Sequence, residues 1–163
     1  MLNATNYFKE ICNTLKETKS DQFHFCRVTG LDYLEDVLAK VKSKNAFFAV
    51  DDSDDGVTTC NSGGYFERKS VVVYLLKKYD VKDLLDREVK LNEVRSIYRK
   101  ILSKLIIDKK NVSALYYLDT NIYYHEVPGF FAAGTCGLYF IISYSEAVEL
   151  IYNATDWENT EEP

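Results

Sequence analysis

The residues best placed to do chemistry in this chain are acidic. In Asp51-Asp52-Ser53-Asp54-Asp55-Gly56, the oxygen-bearing Asp51, Ser53 and Asp55 fall at alternate positions, and Gly56 falls where a calcium loop turns sharply. The twelfth position of that pattern is Ser62, where the loop needs a bidentate Glu, and no pair of helices is expected to flank the segment. Asp51, Ser53 and Asp55 are the one metal candidate, for calcium. The expectation is instead a solvated loop that its own charges keep extended.

The other reactive residue types do not assemble into a site. His24 and His125 are the only histidines, and each lies in a Tyr/Phe-rich run without Asp or His at ligand spacing. Structural or surface histidines are expected. Cys12, Cys26, Cys60 and Cys136 contain no C-x-x-C pair, so zinc-knuckle and thioredoxin readings fail. Four free thiols in a reducing cytoplasm are expected. Neither Gly63-Gly64 nor the Gly129, Gly134, Gly137 series has the Lys-Ser/Thr and helix start of a phosphate loop. No G-x-S-x-G, H-E-x-x-H or kinase signature occurs. The reading is no catalytic residue and no cofactor.

Arg95, Arg99, Lys100 and Lys104 form a basic patch on one predicted helix, but the net charge is −5, which disfavours a nucleic-acid partner. With 163 residues, 47% of them hydrophobic, the chain is long enough to bury about 70% of its unfolded surface in a single domain. Thirteen Tyr and nine Phe favour strands and contact surfaces. No signal peptide is read at the start, and no run reaches the length of a membrane span.

The elements that must position these residues follow from periodicity. Phe8, Ile11, Cys12 and Leu15 mark an amphipathic helix over 3–18, capped by Asn3 or Thr5. Residues 21–28 alternate as a strand. Thr29 caps a helix over about 31–43 with Leu31, Leu34, Leu38 and Val41 in one stripe. Residues 46–50 form a strand that runs into the acidic turn, 57–64 a flexible loop, and 65–79 a long strand apolar on both faces. Leu84, Leu85, Val94, Ile97, Tyr98, Ile101, Leu102 and Leu105 predict a helix over 82–108, with Asp83 and Asp86 at its start and lysines at its end. Strands over 112–126 and 137–144 and a short helix over 146–152 close the chain. The fold expected is α+β. It has a mostly antiparallel sheet, a long hairpin at about 46–79 and helices packed on one side. Residues 1–152 form one domain, and 153–163 a flexible acidic tail.

The segment Phe47-Phe48-Ala49-Val50-Asp51-Asp52, Gly56, Gly64-Tyr65-Phe66-Glu67-Arg68 and Val71-Val72-Val73-Tyr74-Leu75-Leu76 resembles the central hairpin of small structural proteins of tailed bacteriophages, the tail terminator and tail-completion (head–tail joining) proteins. The order helix, hairpin, helix, two strands over 31–144 is similar to theirs; the strand-helix start at 3–30 departs from it. The resemblance implies a virion component with no enzymatic activity. It implies a homo-oligomeric ring built by hairpin contacts, with phage tail or connector proteins as partners. The interface residues it implies are Val71, Val73, Tyr74, Leu75, Phe130 and Phe131. The competing reading is a small non-catalytic regulatory or ligand-binding module of a bacterium or mobile element, using the aromatic stretch 116–125.

Overall fold

The computed structural model describes residues 2–53, 56–127 and 134–156. Along the chain run α1 (Ala4–Thr14), α2 (Lys16–Ser20), β1 (His24–Val28), α3 (Leu31–Lys40), β2 (Ala46–Asp51), β3 (Gly56–Asn61), β4 (Gly64–Lys78), α4 (Leu84–Asn111), β5 (Tyr123–Glu126) and β6 (Thr135–Val148). This is an α+β fold around one mixed sheet of order β1-β2-β4-β6-β5, with β3 also paired to β4. β1 runs parallel to β2, and every other pairing is antiparallel.

The doubly apolar run becomes the middle strand: β4 carries apolar residues for both faces and pairs with β2 and β3 along one edge and with β6 along the other. Phe8 and Ile11 of α1 and Val94, Ile97, Ile101 and Leu105 of α4 pack on Phe48, Val50, Val71, Val73, Leu75, Leu138, Phe140 and Ile142. Leu34 and Leu38 of α3 pack on the other face, against Phe47, Ala49, Tyr74 and Leu76. The helices therefore do not all lie on one side, as the sequence suggested. The parallel pair β1 and β2 needs a crossover, α3 is that crossover, and it covers the face that α1 and α4 leave open.

The hairpin turns later than expected. β2 pairs with residues 72–77 of β4, and β3 pairs with residues 64–69 along the same edge. The turn is the two-residue loop Ser62-Gly63, where the Gly63 N–H donates to Asn61 Oδ1 at 2.9 Å and Gly64 takes φ 111°. The acidic segment interrupts one arm of the hairpin: β2 ends at Asp51, opposite Val72, and β3 begins at Gly56, opposite Lys69. The stretch 57–64, expected to be a loop, is mostly strand, because β4 supplies it with a ladder.

Helix ends follow local chemistry. Asn3 caps α1 by accepting from the Asn6 N–H at 2.8 Å. The chain turns extended at Leu15, so the expected single helix is two. Asp83 caps α4 by accepting from the Leu85 and Asp86 N–H groups at 2.9 and 3.3 Å. Leu84 and Leu85, counted in the apolar stripe, are each 78% exposed, and the buried stripe starts at Leu91.

Three other expectations shift. The residue preceding α3 is Gly30 at φ 82°, and not Thr29. Residues 113–115 form a 3-10 turn, and the Asn121 N–H donates to the Asp119 carboxylate at 2.9 Å; this local turn shortens the expected strand 112–126 to β5. β6 continues through Val148, because Glu146, Ala147 and Val148 pair with Glu67, Phe66 and Tyr65, so the helix over 146–152 does not form. A 3-10 turn occupies Ala154–Asp156; the remainder of the acidic tail lies outside the described residues.

Candidate assembly surface

Beyond the helix-covered core, the start of β4 and the end of β6 extend with β3 as a three-stranded ribbon. Every residue of β3 is exposed. Among the described residues β3 pairs with β4 alone, so its other edge carries unpaired backbone groups. The charges of the ribbon are matched within the chain. Arg68 meets Asp119 at 3.0 Å, and Lys69 lies 3.7 Å from Glu67 and 3.9 Å from Glu146. Phe66 meets Tyr117 edge-on at 5.6 Å, and Tyr117 meets Tyr116 at 4.9 Å, so exposed aromatics of residues 116–117 brace the ribbon.

Four of the six interface residues suggested by the sequence lie in the core. Val71, Val73, Tyr74 and Leu75 are buried inside their own subunit, with Val73 and Leu75 wholly inaccessible. A strand apolar on both faces must be covered on both, and α1, α4 and α3 supply the cover that a neighbour was expected to give. Phe130 and Phe131 lie outside the described residues.

Of the calcium candidates, Asp51 and Ser53 lie together. Asp51 is buried; its carboxylate accepts from the Gly30 N–H at 2.9 Å and the Ser53 N–H at 3.1 Å, and from the Ser53 hydroxyl. The side chain thus ties the end of β2 to the entry of α3. Asp55 lies outside the described residues. Among the described residues no group of three or more His, Cys, Asp or Glu side chains converges as a metal site.

His24 and His125 stand on the opposite edge strands β1 and β5 and share no site. His24 meets Phe47 edge-on at 6.1 Å, and His125 stacks on Tyr139 at 5.2 Å. All four cysteines are free. Burial pushes the Cys12 and Cys26 thiols up to about 11, which keeps them protonated and unreactive near neutral pH. The basic patch of α4 is largely neutralised. Arg95 binds Glu126 at 2.7 Å and Glu88 at 3.0 Å, Lys100 binds Glu17, and Lys104 binds Asp108 at 2.7 Å.

Two polar clusters were not foreseen. Lys77 is buried, with its ammonium 2.5 Å from Asp21 and 2.6 Å from Glu93 and lying over the Phe23 ring. The Tyr7 hydroxyl donates to buried Asp108 at 2.8 Å, joining α1 to α4. A lysine inside a doubly apolar strand was the available signal for the first. The second pairs residues far apart in the chain and left no signal.

A groove of about 730 Å³ runs between the last turns of α4 and residues 116–122, lined by Leu102, Leu105, Ile106, Tyr116, Leu118 and Ile122 with Lys109 and Lys110 at its edge. No helix among the described residues is long and apolar enough to cross a membrane. No protein-family model matches the chain, and no curated protein matches it.

Proposed function

We propose that this chain is a non-enzymatic structural subunit that assembles with copies of itself, of the kind found at the tail or neck of tailed bacteriophages, where subunits close into a ring. The observation that carries this reading is the ribbon of residues 56–69: it reaches past the core, its outer strand is exposed on both faces, and its charges are already paired within the chain. The helix–hairpin–helix–two-strand order over residues 31–148 supports the phage-like part of the reading. So does the group of exposed tyrosines, Tyr116, Tyr117, Tyr123 and Tyr124, of a residue type enriched at protein contacts. Partners would be the chain itself and tail or connector proteins, and the protein would be a virion component made in the cytoplasm. Native mass spectrometry and light scattering test this. A discrete oligomer, alone or with tail-tube or connector proteins, is expected; a monomer at every concentration and with every such partner overturns it.

The groove beside α4 favours a second reading, a ligand-binding module. The aromatic and aliphatic lining of about 730 Å³ has the size of small-molecule sites. A screen of apolar ligands by thermal shift, repeated with Leu118→Arg, separates this reading from the first.

A further inference from the structure

We infer that β3 pairs with β3 of a second copy, edge to edge and antiparallel, across a two-fold axis at Thr58. The inference rests on the proposal that the ribbon is the assembly surface, and it names the contact and its symmetry.

Sheet edges are protected by charge, proline, short length or a covering segment. Of the other edges, β1 carries Arg27, bound to Asp52 at 2.6 Å, and β5 has four residues with Glu126 held by Arg95. Among the described residues, β3 has none of these devices. Its sequence Gly56-Val57-Thr58-Thr59-Cys60-Asn61 contains no charge and no proline, and all six residues are exposed. Three consecutive β-branched residues suit a strand whose side chains pack on a neighbouring strand.

The register follows from the ladder. A two-residue turn makes Asn61 and Gly64 a hydrogen-bonded pair, and pairs alternate from there. Thr59 and Val57 therefore bond to β4, while Gly56, Thr58 and Cys60 direct their N–H and C=O groups outward. Two such edges make the most bonds when Thr58 faces Thr58 of the second copy and Gly56 faces Cys60 of the second copy. That register forms six hydrogen bonds, the number expected from three hydrogen-bonded pairs. It sets threonine opposite threonine and Val57 opposite Thr59, both favourable cross-strand pairs. An uncharged strand meets its own copy without repulsion, which is why a second copy fits better than a partner recognised by charge.

A two-fold contact uses the same patch on both sides and closes on itself. It makes a dimer, or joins two rings face to face, through the outer edge of the ribbon, and leaves the ribbon's exposed faces for the contact within a ring.

The test is cysteine cross-linking on the full chain. Thr58→Cys in a Cys60→Ser background should form an intermolecular disulfide on mild oxidation, because the two Cα atoms would lie about 5.5 Å apart. Wild-type Cys60 should not, because its copies would be four residues apart along the strands, about 13 Å. Thr58→Lys places two ammonium groups on the axis and alters no bond to β4. It should halve the mass of the assembly while leaving circular dichroism and the melting temperature of the subunit unchanged. If Cys60 cross-links as readily as the cysteine introduced at 58, or if Thr58→Lys leaves the mass unchanged, β3 pairing is overturned while self-assembly stands. A wild-type protein that is monomeric throughout overturns both.

Discussion

Gly137 of β6 lies so close to Leu75 of β4 that a Cβ on Gly137 would drive into the Leu75 carbonyl oxygen and stand 3.0 Å from the carbonyl carbon. Its φ of 153° is one that side-chain-bearing residues rarely adopt, and its carbonyl accepts from the Val127 N–H at 2.9 Å. The two longest strands of the sheet depend on this contact. Gly137→Ala should cost roughly 3 kcal/mol, read as a lower urea midpoint with an unchanged slope. A loss below about 1 kcal/mol would mean that β6 shifts to admit the methyl.

Lys77 is held between Asp21 and Glu93 with its side chain 7% exposed, while the two carboxylates are 40% and 41% exposed. Lys77→Ala should cost about 2 kcal/mol, because it removes packing and a counter-ion together. Lys77→Met should cost much less, since it refills the space and leaves the carboxylates partly hydrated. Equal losses for the two variants would sink this account. Both values come from urea titration.

Burial depresses the Lys77 ammonium, but its hydrogen bonds and charge contacts with Asp21 and Glu93 outweigh that and leave its pKa raised. A raised folded pKa gives stability that is complete below the unfolded value, about 10.4, and lost as pH rises through the folded one. Wild type should therefore lose stability above about pH 10 faster than Lys77→Met. Melting temperatures across pH 8 to 11 check this, and parallel curves would contradict it.

The Tyr7 phenol is raised well above its usual value, first by burial and then by its hydrogen bond to the Asp108 carboxylate. Tyr7→Phe should cost about 1 kcal/mol near neutral pH. The raised pKa makes the native contribution fade above the unfolded value of about 10. The gap between wild type and Tyr7→Phe should narrow from pH 9 to pH 11. A gap that widens would place the hydroxyl elsewhere.

Asp51 ties Gly30 and Ser53, so Asp51→Ala should destabilise the fold by about 1–3 kcal/mol. The loss should be the same in millimolar calcium and in EDTA. A calcium-dependent rise in melting temperature that Asp51→Ala abolishes would restore the metal reading.

Val73 is wholly buried, so Val73→Asp should abolish the cooperative unfolding transition, since an unpaired charge would enter the core. A folded Val73→Asp protein would show that this face of β4 opens to solvent.

Much of the fold was legible where one element answers to its own sequence. The stripe from Val94 to Leu105, with Asp83 and Asp86 near its start, defines most of α4 without reference to the sheet. The same holds for α1 with its Asn3 cap, and for β2 and β4 as apolar runs. Errors came where a partner decides. Residues 57–64 read as a loop, yet β4 pairs with 57–61; residues 146–148 read as a helix start, yet the same strand recruits them into β6. Val71, Val73, Tyr74 and Leu75 were read as contact residues for a related reason, yet they are buried in the core. Apolarity on both faces of a strand says that both faces are covered, and does not say by whom.

The sequence by itself determined that this chain is α+β, with a long strand apolar on both faces and a long helix marked by an apolar stripe. Those properties reside in periodicity and residue type, which act over a few residues. Only the tertiary structure decided that α3 crosses to the far face, that Lys77 lies between Asp21 and Glu93, and that the free edge is β3 rather than the strand beside it. Each of these depends on which distant segments meet, and pairing energy is shared between residues that carry no local mark of their partner.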